Sequence, residues 1–211
     1  MFANRKKAGI SLGKALKKYS AEHPLLLAIP RGGVEIAYYV AQELQCGFHI
    51  LVAQKLGHPR NREAAIGAIA EDDSLYLDPR VKQMMSKQVI EEAMAGKREE
   101  IARRIDLYRQ GKPLPDLQDR TVIVVDDGIA TGSTLFAAVL MCKKQHPETL
   151  VVAAPVSGIG VRNKLEDTVD DVVILETPRS FFAVSQAYEE FGNLTDQEVL
   201  SFLDLNVREP K

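Results

Sequence analysis

Cysteine is scarce in this sequence: Cys46 and Cys142 are the two present, far apart along the chain. They form no metal-ligand spacing, and small buried hydrophobes are the expected role of both. His23, His49 and His146 likewise show no mutual spacing that suggests zinc. Positive charge is not in excess: 27 Lys and Arg stand against 29 Asp and Glu, a formal net charge of -2. A nucleic-acid-binding surface normally needs a basic excess, so no nucleic-acid partner is expected. No apolar run approaches the ~20 residues of a bilayer span. The basic opening MFANRKKAGISLGKALKKY is broken by charge before any signal-type apolar core. A cytoplasmic location without a membrane partner is the default expectation, and the basic segment reads as a solvated helix face. Two phosphate motifs are also missing. No GxxxxGK[ST] occurs, and no GxGxxG follows the first apolar strand, which removes the strongest signals for nucleotide hydrolysis and dinucleotide binding.

What is present suits one α/β domain. The chain of 211 residues is 45% hydrophobic and 27% charged, enough for a sizeable core. Residues 5–19 carry an imperfect apolar stripe of helical spacing. LLLAI, residues 25–29, is a short buried strand that Pro30 stops, and Gly32–Gly33 turns the chain. VEIAYYVAQEL is helical through residue 44, and FHILVAQ, 48–54, reads as a second buried strand. Strand, turn, helix, strand in this order is the mark of a mostly parallel sheet flanked by helices. The segment 55–79 is polar and glycine-dotted. KLGHPRNRE reads as a surface loop carrying Lys55, His58, Arg60 and Arg62, and AAIGAIA as a short strand. Residues 80–110 form a long charged helical segment with a break expected near Gly96. STLFAAVLMCKKQ is helical, TLVVAAPV and DDVVILET (170–177) are strands, and SQAYEEF and DQEVLSFLDL are short helices.

The stretch TVIVVDDGIATGST, Thr121 to Thr134, concentrates the chemistry. VIVV belongs in the sheet, so Asp126 and Asp127 emerge at a strand's carboxyl end, where open parallel sheets bind ligands. Carboxylates accept hydrogen bonds from vicinal hydroxyls and bind hard cations. The next helix begins near Ser133, and its first amides lack intrahelical partners. With the hydroxyls of Thr131, Ser133 and Thr134 they suit a phosphate, and Gly132 lets the backbone approach it. Together these features describe a sugar-phosphate site.

VIVVDDGIATGST resembles the phosphoribosyl-diphosphate (PRPP) motif of type I phosphoribosyltransferases, and the wider chain resembles a bacterial branch of that family. The resemblance implies an α/β domain spanning residues 1–211, with 55–79 as a mobile catalytic loop and 155–211 supplying a small hood. It implies that Asp126 and Asp127 contact the ribose hydroxyls, partly through Mg²⁺. Gly128 and Ala130 would contact PRPP, and Thr131, Gly132, Ser133 and Thr134 would wrap its 5′-phosphate. Arg31, Gly32 and Gly33, in a loop with a strained or cis peptide, would hold pyrophosphate with Lys55, and Arg60 or Arg62 would close over it. Catalysis would rest on Asp126, Asp127, Lys55 and Arg31, with Asp126 and Asp127 as the metal ligands.

The implied reaction moves a phosphoribosyl group from PRPP to a small heterocyclic nitrogen acceptor. The acceptor itself is not legible. Ala130 stands where 6-oxopurine enzymes carry an acid, which disfavours those bases. Ile129, Ser157, Phe181 and Phe182 are the acceptor-side candidates, the aromatic rings by stacking. A PRPP-sensing regulator and a sugar-phosphate hydrolase are the alternative uses of the same pocket. A homodimer through the long charged segment is compatible with the family.

Overall fold

The computed structural model describes residues 1–58, 61–83 and 85–206, with backbone alone for 61–65 and residue 80. Helix α1 (Arg5–Ala15) leads through a 3-10 turn to β1 (Leu25–Ala28), α2 (Gly32–Leu44) and β2 (Phe48–Ile50). Strands β3 (Ala53–His58), β4 (Asn61–Ala70) and β5 (Leu75–Leu77) follow, then α3 (Pro79–Lys82) and α4 (Lys87–Arg109). The chain continues as β6 (Thr121–Val125), α5 (Ser133–Lys144), β7 (Thr149–Val156), α6 (Ile159–Glu166), β8 (Asp171–Glu176) and α7 (Asp196–Asp204). Two sheets result. One is parallel, five-stranded, in the order β2-β1-β6-β7-β8; the other is antiparallel, β3-β4-β5.

The continuous apolar strands are explained by helices on both faces. Successive strand residues point to opposite sides. Leu26, Ile123 and Val151 therefore pack with Leu12, Ile36 and Val40 of α1 and α2. Leu27, Val124 and Val152 pack with Leu135 and Val139 of α5. All five residues of β6 are buried, which leaves no alternation in the sequence. Local signals set the helix ends. Asn4 accepts from Lys7 N at 3.1 Å to cap α1, and Ser86 Oγ caps α4 by accepting from Val89 N at 3.3 Å. Thr195 and Glu198 form a reciprocal capping box at the start of α7.

Several expectations are corrected. Helix α1 stops at Ala15 and a 3-10 turn carries the chain to Glu22. FHILVAQ is two strands in two sheets. Leu51 N still bonds Ala28 O at 3.0 Å, but Val52 N turns to Glu71 Oε2 at 2.9 Å. Both halves are buried, so hydropathy gave no sign of the break. Lys55 to His58 is a strand rather than a loop, and the strand around AAIGAIA runs over the whole of Asn61–Ala70. Pairing in a hairpin satisfies this polar backbone, and few apolar side chains cover the sheet: Leu56, Ile66 and Ile69 pack with α4, and Ala53, Ala68 and Ala70 with α5. Helix α4 passes through Gly96 without a break, supported on its surface by Arg98–Glu91 at 2.6 Å and Arg104–Glu100 at 2.7 Å. SQAYEEF contributes only a 3-10 turn, Val184–Ala187. Helix α6 joins β7 to β8, its start obscured in the sequence by Gly158 and Gly160. Cys142 is buried as expected, whereas Cys46 is half-buried, and neither is in a disulfide. Among the described residues no helix is long and apolar enough to cross a membrane.

The junction between the sheets is held by a buried ion pair. Arg109 Nη2 lies 2.6 Å from Glu71 Oε1, with both side chains 8% exposed. Arg109 Nη1 also donates to Ile50 O at 3.2 Å, so one pair ties the end of β2 to the start of β3. Arg109→Ala leaves Glu71 buried without a counter-charge. It is expected to cost about 3–5 kcal/mol, read as a fall in the urea midpoint. A midpoint equal to that of the parent chain would show that the pair does not hold the junction.

Candidate functional site

The loop after β6 is fixed from both sides by backbone bonds. Asp126 N donates to Ala153 O at 3.3 Å and Ile129 N to Val156 O at 2.9 Å, while Gly158 N returns to Ile129 O at 3.2 Å. Asp126 Oδ1 accepts from Asp127 N at 2.8 Å. The following turn carries Gly132 at φ 75°, a conformation open to glycine. Phe136 N makes the first α5 bond, to Gly132 O at 2.8 Å. By position, the amides of Ser133, Thr134 and Leu135 have no intrahelical acceptor. Ser133 is buried, Thr134 half-buried and Thr131 exposed.

The loop after β1 packs directly on these acids. A Cβ at Gly32 would lie 1.8 Å from Asp127 Oδ2, so no side chain fits there without displacing the carboxylate. A Cβ at Gly33 would approach Val125 O at 2.8 Å. The Pro30–Arg31 peptide bond is cis. The Arg31 guanidinium lies 3.8 Å from Asp196 Oδ1 at the start of α7, a half-exposed and loose pairing.

Asp127 has a partner that the sequence did not disclose. Arg5 Nε donates to Asp127 Oδ2 at 2.8 Å, and the two side chains are 7% and 13% exposed. Arg5 Nη1 donates to Gly192 O at 2.7 Å. Its guanidinium carbon sits 4.0 Å from the centre of the Phe191 ring. Tyr188 stacks on Phe191 and donates its hydroxyl to Asp127 O at 2.6 Å. Arg5 thus departs from the solvated face expected of MFANRKK. Nothing in the sequence separates it from Lys6 and Lys7, because its role depends on the distant segment 188–192.

A cavity of about 180 Å³ brings Lys55, Asp126, Asp127, Gly128 and the loop Ala130–Gly132 together with Thr134. Ile129 forms part of the same lining, although it is only 2% exposed. Lys55 thus comes from the antiparallel sheet to face acids of the parallel one. Burial and the Asp127 charge push the Asp126 carboxyl well above its usual range, and Lys55 opposes the shift. Burial also raises Asp127, against the pull of Arg5. On the first turn of α2, burial raises Glu35, with Arg5 again opposing. Among the described residues no group of three or more His, Cys, Asp or Glu is placed to hold a metal.

A second, larger cavity of about 560 Å³ lies across the same loop and shares Ala130 and Thr131 with the first. Phe181 lines it. Phe182 is 83% exposed and lines neither cavity. Ser157 is fully buried and its hydroxyl donates locally to Gly158 O at 3.1 Å. Of the acceptor-side candidates, Ser157 and Phe182 thus line neither cavity. Arg60 lies outside the described residues, as does the Arg62 side chain.

Arg5→Met removes the counter-charge from Asp127 without removing bulk. A cost of about 3–5 kcal/mol is expected near neutral pH. Asp127 is already raised by burial, so deprotonation opposes folding, and more so without Arg5. The deficit should therefore shrink as pH falls and the carboxyl takes up its proton. Urea titrations of both proteins at neutral and mildly acidic pH check this; a deficit that is constant or grows on acidification would exclude it.

Residues 4–189 match the family model described as "Phosphoribosyl transferase domain". The Mycobacterium tuberculosis proteins named "Putative phosphoribosyl transferase MT0597" and "Putative phosphoribosyl transferase Rv0571c" are each 37% identical over 206 residues. The match covers 97% of this chain and 46% of either relative, so the chain spans under half of their length. The crystal structure of TT1426 from Thermus thermophilus superposes with a TM-score of 0.81 at 34% identity, covering 96% of this chain and 97% of that one.

Proposed function

The chain belongs to the phosphoribosyl transferase domain family, and from that premise we propose that it transfers the 5-phosphoribosyl group of PRPP to a small nitrogen heterocycle. The observation that carries this reading is the single cavity in which Asp126, Lys55 and the amide-rich mouth of α5 meet. At that helix mouth the amides of Ser133 and Thr134, with the hydroxyls of Thr131 and Thr134, grip the 5′-phosphate. Asp126 accepts from the ribose hydroxyls. Asp127, tied to Arg5, lies behind it and holds the loop, with any sugar contact shared with that arginine. Lys55 and the amides of Gly32 and Gly33 receive the pyrophosphate. Arg31 joins them by leaving Asp196, at little cost for so loose a pair. Arg60 or Arg62 closes over the leaving group and excludes water.

In the transfer step the acceptor nitrogen's lone pair forms the bond to ribose C1. The C1–O electrons leave with pyrophosphate, and any proton on the nitrogen passes to water. Positive charge builds at the sugar, near Asp126, and negative charge at pyrophosphate, near Lys55. The donor set fits a substrate-borne Mg²⁺ better than a resident one, because magnesium keeps water and phosphate ligands and needs only one or two carboxylates. Asp126 would be its main protein ligand, with Asp127 behind it. The ion would neutralise charge on the departing pyrophosphate.

Asp126→Asn is expected to weaken Mg²⁺-dependent PRPP binding by about 1.5–3 kcal/mol with the fold intact. Calorimetric titration of PRPP with and without Mg²⁺ measures it, and equal affinities for parent and variant would remove Asp126 from the site. Thr134→Ala should cost about 0.5–1.5 kcal/mol, and equally for ribose 5-phosphate, because it touches the phosphate end. If only PRPP and not ribose 5-phosphate is affected, the phosphate is not held at that helix mouth. Pyrophosphate release on mixing PRPP, Mg²⁺ and a panel of heterocycles tests the transfer itself.

A further inference from the structure

The larger cavity carries charge that the sugar-phosphate reading leaves unused. Lys164 on α6 and Arg179 after β8 both line it. Neither side chain has an acidic partner among the described residues. Among the described lining residues the one carboxylate is Asp78, against these two cations. Aromatic surface flanks these cations. Tyr76 is fixed by stacking on Phe136, with ring centres 4.9 Å apart at 19°. Phe181 stands on another wall, where a methyl built at Gly158 would lie 3.8 Å from its Cδ1 and 3.9 Å from Ala130 O. Phe181, Gly158 and the loop shared by the two cavities are thus grouped in one place.

We infer that the acceptor is an anionic planar ring, a heteroaromatic carboxylate, seated in this cavity with its carboxylate on Lys164 and Arg179. The inference rests on the phosphoribosyl-transfer reading and specifies the acceptor class. A flat ring is held through its faces by Tyr76 and Phe181. A guanidinium and an ammonium together bind a carboxylate through charge-assisted hydrogen bonds, the first in a bidentate manner. A neutral ring leaves both cations facing the cavity without a counter-charge. Ala130 presents only a methyl group where the cavities meet, so a ring nitrogen can approach the sugar across it. It also brings no carboxylate to repel an anionic ring.

Matched ring pairs that differ in charge test this. Uracil-6-carboxylate is compared with uracil, and pyridine-3-carboxylate with pyridine-3-carboxamide. Binding is measured by calorimetry to the full chain saturated with Mg²⁺ and ribose 5-phosphate. At least one carboxylate is expected to bind about tenfold or more tightly than its neutral partner, a charged hydrogen bond discounted for exposure. That advantage should vanish in the Lys164→Ala/Arg179→Ala double variant, with PRPP affinity unchanged. Both side chains are exposed, so the fold should persist, and circular dichroism verifies it. Equal binding of charged and neutral rings, or no binding of either carboxylate, would overturn the inference while leaving phosphoribosyl transfer standing. A double variant that loses PRPP affinity would assign the two cations to the sugar phosphate instead. A parent chain that does not bind Mg²⁺–PRPP at all would remove the transfer reading together with this one.

Discussion

The candidate site depends on how tightly two loops are pressed together around one carboxylate. Asp127 occupies the volume that any side chain at residue 32 would need, and Arg5 neutralises it from the other side at 2.8 Å. A buried carboxylate without a cation is costly enough to reorganise its surroundings. With Arg5 present, the loop after β1 can rest on the loop after β6, and both acids stay on the wall of the same cavity. Of the two, Asp127 is the one held by Arg5.

The large features were legible in the sequence because they come from local chemistry. The parallel sheet shows in the short apolar strands separated by helical spacing, and the candidate site shows in acids that directly follow a buried strand and precede a helix. The relationship to phosphoribosyl transferases follows from the same stretch. Features that depend on long-range contact were not legible. Arg5 looks like Lys6 and Lys7 until residues 188–192 fold over it. The crossing from one sheet to the other at Leu51–Val52 is invisible within a uniformly apolar run, since both sheets bury it. The β3–β4 pairing was hidden by polar residues, because a hairpin satisfies its backbone through pairing rather than through an apolar pattern.

The two cavities assign separate electrostatic duties to the sides of one loop. On the acid side, Lys55 is the counterweight to Asp126. On the other, Lys164 and Arg179 dominate over Asp78. The two linings meet at Ala130 and Thr131.

The contacts of Arg5 reach across almost the whole length of the polypeptide, from α1 to Asp127 and on to Phe191 and Gly192. During synthesis the first two partners leave the ribosome well before the last. A nascent chain that has exposed β1, β6 and α5 holds both loops of the site but lacks the aromatic and carbonyl groups that shield the ion pair from water. The pocket is thus assembled from its inner wall outward, and its electrostatics mature only when the carboxyl-terminal segment has been delivered.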